Sequence, residues 1–285
     1  RNIDFFLPRR MHKIGAILIS AFCIGYSSVT FQTITNNKIL TPSVMGLDSL
    51  YLFIQTVIVF FFGSRQLSMM TGMPNFFLSV GFMVIAACLL FLLLFRKDQK
   101  SVYFLVLAGM IFGQLFNGLS TFMQVLLDPN EFLILQGRMF ASFNNINEDL
   151  FWVCALITLA VIIITAFDYP RLDTLSLGVD LAVNLGVPYR ATVFKSLLVT
   201  AVLVSVSTAL TGPITFLGIL VASLSRELLK TYKHVWRVLG AVLLGAFALI
   251  FGQIFVERVF QFNTTISVIL NFIGGIYFIY LMVKE

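Results

Sequence analysis

The chain is a series of long apolar runs separated by short polar joints. The runs cover approximately 14–31, 44–62, 73–95, 102–127, 150–167, 191–210, 235–255 and 265–283, with a shorter one at 214–224. Most of them approach or exceed the ~20 residues that an α-helix needs to cross the hydrocarbon layer. The two-residue alternation of strands is absent, and open sheet edges cannot be satisfied in lipid. The pattern predicts an all-α, polytopic membrane protein, with about nine transmembrane helices in a single domain over residues 1–285.

Composition agrees with this class. Hydrophobic residues make up 59% of the chain and charged residues 11%, and the mean hydropathy is +0.97. A soluble domain has about a quarter of its residues charged. The net charge of +6 does not indicate nucleic acid, because membrane proteins concentrate basic residues in cytoplasmic loops. If the runs alternate across the membrane, most of the 19 basic residues share a side with the polar joint at 168–190, so we expect that joint in the cytoplasm.

That joint carries a short amphipathic pattern of its own. Its apolar positions recur at i, i+4 and i+8, at Leu177, Leu181 and Leu185. The spacing predicts a helix too short to cross a bilayer, and Gly186 is a typical residue after a helix C-terminus. Two interpretations remain open from the pattern alone, namely a helix that docks a partner and a helix that lies on the membrane surface.

Two further features are typical of helix contacts or transport pathways. The fourth run contains a GxxxG motif at Gly109 and Gly113, which lets helices approach closely. The amide of Asn117, in the same run, either bridges helices, which we favour, or faces a pathway. The turn at Gly212 and Pro213 precedes the shortest run, and interrupted helices of this kind occur near transport pathways.

The sequence contains no motif for enzymatic chemistry. It has no phosphate-binding loop, no H-E-x-x-H and no G-x-S-x-G, and its two histidines and three cysteines are isolated. We therefore expect no catalytic site, no metal and no cofactor on this chain. Charged residues inside the runs are also scarce, which disfavours an ion-coupled carrier. The exceptions are Asp48 and the Glu257–Arg258 pair, and we interpret that pair as solvated and interfacial, at the predicted outer boundary of its run.

Five segments carry a resemblance to a known family. They are FLPRR at 6–10, NNKILTPSVMGLDS at 36–49, LSLGVDLAVNLGV at 175–187, GPITFLGILVASLSR at 212–226 and ISVILNFIGGIYFIYLM near the end. In this order they resemble the permease subunits of bacterial iron-chelate importers of the binding-protein-dependent ABC type, the family that includes the cobalamin importer permease.

The resemblance implies specific roles. The family's L-x-L-G loop docks an ATPase, which assigns ATPase coupling to Leu175, Leu177, Gly178, Leu181, Leu185 and Gly186. Docking of an extracytoplasmic binding protein maps to Arg9 and Arg258, and we add Arg10 on its charge alone. The family has ten helices, so we expect the first helix to be missing here. It also implies a second permease subunit, two cytoplasmic ATPases that hold ATP and Mg²⁺, and a place in the bacterial cytoplasmic (inner) membrane.

Some positions depart from the family pattern. Val179 stands where the family loop has a Glu, and Ala222 and Ser223 replace a Pro-His pair. These departures predict that the chain is one subunit of a heterodimer whose other subunit keeps the stricter motifs. The expected function is the import of a ferric siderophore by alternating access, driven by ATP hydrolysis on another subunit. The alternatives are a stand-alone ion-coupled or facilitative carrier, a cobalamin or haem importer permease, and a membrane scaffold without transport activity.

Overall fold

The computed structural model describes residues 3–69, 72–95, 102–144 and 146–284, and within them the regular secondary structure is helical, without any strand. The helices are α1 (Ile3–Ile34), α2 (Leu47–Met69), α3 (Met73–Phe95), α4 (Val102–Val125), α5 (Pro129–Met139), α6 (Glu148–Thr165), α7 (Tyr169–Leu175), α8 (Val179–Asn184), α9 (Tyr189–Thr211), α10 (Leu217–Leu229), α11 (His234–Arg258) and α12 (Ile266–Lys284). A 3-10 helix, Pro42–Met45, precedes α2.

The predicted all-α membrane architecture is confirmed. Each predicted run corresponds to one helix in the described residues, namely α1, α2, α3, α4, α6, α9, α10, α11 and α12. By length and composition, five of these contain stretches able to cross a membrane, in α1, α4, α6, α9 and α11. Shorter apolar helices lie in α2, α3 and α12, whereas α10 has only 13 residues.

Two boundaries differ from the sequence prediction. The second run was predicted from residue 44, but α2 begins at Leu47 because the 3-10 helix occupies the preceding residues. No apolar run was predicted between residues 127 and 150, yet that stretch contains α5. The Asp128 carboxylate caps that helix by accepting a hydrogen bond from the backbone N–H of Asn130 at 2.9 Å. Asp at the N-cap followed by Pro129 is a recognisable helix start.

The centre of the molecule is formed by α1 and α9. In each of these membrane-spanning stretches 72% of the residues are buried, against 22% in α4 and in α6. The helix α1 packs along both α9 and α11, and α10 packs against α11. The large apolar side chains of α4 and α6 face outward, as expected of helices that contact lipid or a partner subunit.

The GxxxG motif of α4 produces a close approach, but to the end of the 3-10 helix and not to another α-helix. A Cβ atom on Gly113 would lie 2.9 Å from the Cα of Gly46, and one on Gly109 would lie 2.8 Å from the Cα of Met45. Both distances are too short for any side chain, so the glycines let α4 lie directly on the start of α2. The connection between α1 and α2 is thereby held inside the molecule, where Thr41 is almost completely buried.

The helices place two sets of polar residues at opposite ends of the molecule. One end holds the last turn of α1, the first turns of α9 and α11, and the short helices α7 and α8, and we call it the α7–α8 end. The other holds the early residues of α1, the start of α6 and the last turn of α11, and we call it the Lys13 end.

Candidate coupling site

The α7–α8 end exposes a group of apolar side chains around one short helix. Leu181 is 54% exposed and Leu185 is 65% exposed, and Leu177, Val179 and Val183 are exposed beside them. Only Ala182, at 0% exposure, faces the interior. Exposed aliphatic side chains concentrated on so short an element favour contact with a partner or a membrane surface.

The predicted helix starts later than the leucine spacing indicated, at Val179, and a separate short helix, α7, precedes it. Gly178 has φ of +106°, and the chain turns there between α7 and α8. Leu177 therefore lies in the turn and not on the helix, although it remains exposed with Leu181 and Leu185. An L-residue with a side chain rarely adopts this φ, so a glycine at 178 allows the turn.

The end of α8 follows the pattern that the sequence predicted. Gly186 has φ of +84°, its N–H donates to the carbonyl of Val183, and the N–H of Val187 donates to the carbonyl of Ala182. These two bonds form a Schellman motif, in which the glycine follows the last helical residues. The motif fixes the direction in which Leu185 projects.

The frame beneath this surface is part of the core. Leu172, Leu175 and Ala182 are buried in one apolar cluster with Phe31 of α1 and Val193 of α9. Leu175, which the resemblance grouped with the coupling residues, is 4% exposed and cannot offer its side chain to a partner. Its position suits an anchor that holds α7 against the membrane helices.

A partly buried hydrogen-bonded chain joins α7 to α11 and α1. The carboxylate of Asp173 accepts the backbone N–H of His234 at 2.6 Å and lies 2.6 Å from Nδ1 of the same ring. Nε2 of His234 lies 2.7 Å from the hydroxyl of Thr33. A neutral ring whose Nδ1–H donates to Asp173 accepts at Nε2 from the Thr33 hydroxyl, which also lies 3.0 Å from the carbonyl oxygen of Val29 and shares its single proton between the two acceptors. We call these three residues the Asp173 clamp.

A second contact attaches the start of α7 to α9. Nζ of Lys195 lies 2.6 Å from the carboxylate of Asp168, which is nearly buried, and Arg171 lies 3.6 Å from the other oxygen of this carboxylate. The neighbouring Tyr169 is partly buried, and desolvation raises the pKa of its phenol above the ordinary value, so it stays neutral. The short helices are thus fixed to α1, α9 and α11.

The Lys13 end has a polar network in place of exposed leucines. Nζ of Lys13 donates to Glu257 at 2.5 Å and to the amide oxygen of Asn144 at 3.0 Å. The amide of Gln253 donates to Glu257 at 2.8 Å and to the same Asn144 oxygen at 3.0 Å. The sequence predicted Glu257 and Arg258 only as a solvated, interfacial pair. In the structure the ion-pair partner of Glu257 is Lys13, which reaches it from α1 across the helix packing.

The predicted docking arginines lie at this end. Arg10 and Arg258 are exposed on α1 and α11, near the Lys13–Glu257 pair. The side chain of Arg9 lies outside the described part of the chain. Contact of these residues with a binding protein stays a prediction.

The pathway candidates do not form one site. Asn117 is exposed on α4 and its amide group makes no hydrogen bond to another helix of the described chain, so our favoured interpretation, a bridge between helices, does not hold within this subunit. Gly212 and Pro213 are buried where α9 ends, and a Cβ on Gly212 would lie 3.0 Å from Ala141. Gly212 lines a cavity of about 450 Å³ with Arg138 and Tyr51, of which Asn117 is not part.

Sequence reasoning missed the Asp173 clamp. Asp173 was given no role, and His234 was interpreted as isolated. One signal was present: α11 begins after Lys233, which cannot cap a helix with an acceptor. An apolar helix that starts without an N-cap residue needs an acceptor from elsewhere in the fold, and Asp173 supplies it.

Comparison with known families decides the class. The FecCD transport family matches residues 2–284. The chain belongs to the FecCD transport family. It is 52% identical over 284 residues to the petrobactin import system permease protein YclO of Bacillus subtilis (strain 168), covering 100% of this chain and 90% of that protein. It is 38% identical over 283 residues to the petrobactin import system permease protein FatC of Bacillus anthracis, covering 98% and 80%.

A solved structure supports the fold of this FecCD-family chain. A metal-chelate type ABC transporter in an inward-facing conformation matches it with a TM-score of 0.85 at 24% identity, covering 100% of this chain and 91% of that one. Family membership makes the chain a multi-pass permease, a transport subunit of an ABC importer, and such importers imply ATPase and substrate-binding partners. A stand-alone carrier and a cobalamin or haem permease are not favoured by these relatives.

Proposed function

We propose that this chain is a permease subunit of a bacterial ABC importer that carries a ferric siderophore of the petrobactin type into the cytoplasm. The observation that carries the proposal is the 52% identity, over the whole chain, to a petrobactin import permease. ATP is hydrolysed on separate cytoplasmic subunits, and the chain lies in the cytoplasmic (inner) membrane with a second, different permease subunit.

In this proposal the ATPases bind the exposed apolar side chains of the α7–α8 end. Closing of the ATPases pushes on α8, and the contacts beneath it determine which helices receive the motion. The Asp173 clamp leads to α11 and α1, and the Asp168–Lys195 pair leads to α9. Because α1 and α9 form the centre of the subunit, a displacement of α7 reaches the helices around which the others pack.

At the opposite end, a siderophore-loaded binding protein docks on Arg10, Arg258 and Arg9. Opposite charges on the two surfaces raise the association rate and set the register of docking more than they raise affinity. Release then needs a path past the end of α9, where Gly212 and Pro213 interrupt the helices, and along α4, where Asn117 is exposed. Alternating access opens this path to one side at a time.

The proposal is tested by uptake of ⁵⁵Fe-petrobactin in cells that lack this chain. Uptake is expected to be absent and to return when the chain is supplied again, whereas uptake of a ferric hydroxamate through other permeases is unchanged. If the deletion leaves ⁵⁵Fe-petrobactin uptake intact in cells without a second petrobactin system, the substrate assignment is wrong. Purification of the tagged chain is expected to recover an ATPase and a different permease, and a homodimer would contradict the heterodimer.

A further inference from the structure

One positively charged side chain lies apart from the arginines that the proposed function assigns to docking. Arg138 is in the last turn of α5 and is partly buried. No carboxylate of the described chain pairs with it. A hydrogen bond joins it to the phenol of Tyr51 in α2, which is 3% exposed. The phenol accepts from the guanidinium but carries no charge, so the positive charge of Arg138 is left without a counter-charge.

Arg138 faces a polar cavity. The cavity has a volume of about 450 Å³, which lies in the range of small-ligand sites. Residues with hydroxyl or amide side chains line it beside Arg138, namely Tyr51, Ser142, Asn147 and Thr211, and none of its described lining residues is acidic. Hydroxyl and amide groups donate hydrogen bonds to anionic oxygen atoms. The cavity therefore offers an anion one positive charge and several neutral polar groups.

The cavity lies on the route that the proposed function gives to the substrate. It reaches the Lys13 end, because Asn147 lines both this cavity and the neighbouring one that contains Lys13. Another wall is formed by residues 209–212, where α9 ends. A ligand released by a binding protein at the Lys13 end therefore meets Arg138 beside the break between α9 and α10.

The fold fixes the walls of this cavity. Leu135 is 0% exposed and packs α5 into the cluster around α2, which leaves Gly137 and Arg138 facing the cavity. In the segment after α5, the N–H of Ser142 donates to the carbonyl of Thr211 at 2.8 Å and ties this segment to the end of α9. A guanidinium on a supported element keeps its geometry for a ligand, so less ordering is needed on binding.

The charge of the cavity selects among iron chelates. Chelates that hold Fe³⁺ through catecholate or carboxylate oxygens are anionic, because these donors bring more negative charge than Fe³⁺ neutralises. Ferric trihydroxamates are neutral, because three hydroxamates balance the charge of the metal. A guanidinium pairs well with a planar carboxylate, to which it donates two parallel hydrogen bonds. A neutral chelate in the same place would leave the charge of Arg138 uncompensated.

We propose that Arg138 binds a carboxylate or catecholate oxygen of the ferric chelate in this cavity, and that the site therefore takes anionic chelates in preference to neutral ones. The inference rests on the proposed import of a siderophore, and it adds the charge class of the substrate and a residue that recognises it. Tyr51 is a positioning residue that orients the guanidinium. Gly137 keeps the space beside Arg138 open, since a Cβ atom there would meet nothing within 4 Å.

The test uses the importer with its binding protein, in proteoliposomes that contain ATP. Uptake of ⁵⁵Fe-petrobactin is measured against the concentration of loaded binding protein, which separates the maximal rate from docking. Arg138→Gln is expected to lower the maximal rate about tenfold, because one charge-assisted hydrogen bond to the chelate is lost, and to leave the half-saturating concentration unchanged. Arg138→Lys keeps the charge and is expected to recover part of the rate. The control Lys230→Gln removes an exposed charge at the α7–α8 end and is expected to keep the wild-type rate.

A second variant tests the cavity without changing its charge, and it also covers the case in which Arg138→Gln fails to assemble. Gly137→Phe places a ring in the open space beside Arg138 and is expected to lower the maximal rate at least as much as Arg138→Gln does. The matched control is Gly81→Phe, which adds the same ring at an open position of α3 and is expected to keep the wild-type rate.

Three results overturn the inference alone: a wild-type rate in Arg138→Gln, a wild-type rate in Gly137→Phe, or a loss in Arg138→Gln that appears only as a higher half-saturating concentration. The last result would mean that Arg138 contacts the binding protein and not the chelate. A wild-type importer that takes up no ⁵⁵Fe-petrobactin would contradict the proposed function, and this inference with it.

Discussion

The two ends of this molecule are built by different means. At the α7–α8 end, a rigid hydrogen-bonded frame supports aliphatic side chains that face outward, Leu181 and Leu185 among them. At the Lys13 end the charged groups pair with one another across the helix packing, and the exposed residues beside them are arginines. An apolar surface gains affinity when it is desolvated, whereas an exposed charged surface mainly changes the association rate.

This difference matches two kinds of partner. An ATPase that transmits force needs a contact that persists through the cycle. Exposed apolar side chains that become buried in the interface, on a rigid support, provide such a contact. A binding protein arrives, delivers its ligand and leaves, and complementary charge suits rapid, reversible encounters. The comparison leads to four predictions, ordered by the size of the expected effect.

The largest effect is expected from the double substitution Leu181→Asp with Leu185→Asp. If both leucines are interface anchors, each contributes about 2 kcal/mol, and the pair weakens ATPase binding by about 100-fold or more. The ATPase is then lost on purification and siderophore uptake stops. Because both side chains are exposed, the unfolding temperature of the permease is expected to change little.

Two matched variants control this experiment. Leu181→Ile with Leu185→Ile keeps the apolar surface and is expected to keep the ATPase. Leu133→Asp places the same charge on an exposed leucine of α5 and is expected to leave ATPase binding unchanged. Retention of the ATPase by the double Asp variant would mean that α8 lies on the membrane surface instead.

The next effect is expected from Asp173→Ala. It leaves the backbone N–H and the ring of His234 without their acceptor at a buried position, at a cost of about 2 kcal/mol in the free energy of unfolding. The measurement is thermal unfolding of the complex, with Asp180→Ala on exposed α8 as the control. Asp173→Asn retains an acceptor oxygen and is expected to recover part of the loss. Equal unfolding of the Asp173→Ala and Asp180→Ala proteins would contradict a structural clamp.

A smaller effect is expected from Lys13→Met. The Lys13–Glu257 pair is partly exposed, with side-chain accessibilities of 23% and 34%, so solvent screens it and its loss costs about 1 kcal/mol at most. Thermal unfolding of Lys13→Met is compared with that of Asp173→Ala. If Lys13→Met lowers stability to thermal unfolding as much as Asp173→Ala does, the two ends do not differ in rigidity as proposed.

The smallest effect is expected from Arg258→Gln. Removing one exposed charge is expected to slow the association of the binding protein about twofold at low ionic strength, without changing the stability of the permease. The effect is expected to disappear at high salt because exposed charges are screened. The association rate is measured by titrating the binding protein over surface-immobilised permease complex. A decrease in this rate that is independent of salt would indicate a direct hydrogen bond of Arg258 and not long-range electrostatic attraction.

Several elements followed from the sequence because their causes are local. The long apolar runs predict membrane helices, since backbone groups in lipid must bond within their own segment. The leucine spacing with Gly186 predicts α8 and its end, since the Schellman turn depends on neighbouring residues alone. The GxxxG motif predicts a close approach, since a missing side chain allows it whichever element lies opposite.

The sequence could not identify the partners in these contacts. Lys13 meets Glu257, 244 positions away, and His234 lies between Asp173 and Thr33 of two other helices. The pairing depends on which helices are neighbours and on their relative rotation, and neither quantity has a local signature. For the same reason the glycines of α4 were found while the 3-10 helix that packs on them was not.

By itself the sequence determined the all-α membrane class, the short apolar helix at 179–184 and the family of this chain, because hydropathy and motif spacing are properties of neighbouring residues. Only the tertiary structure showed that the element preceding α8 is held by the Asp173 clamp to α11 and α1, and that Glu257 pairs with Lys13. It also showed that Asp48 lies beside hydroxyl groups from four segments of the chain. Those arrangements arise when distant segments are packed together, since a buried polar group then takes whichever partner the packing brings within reach.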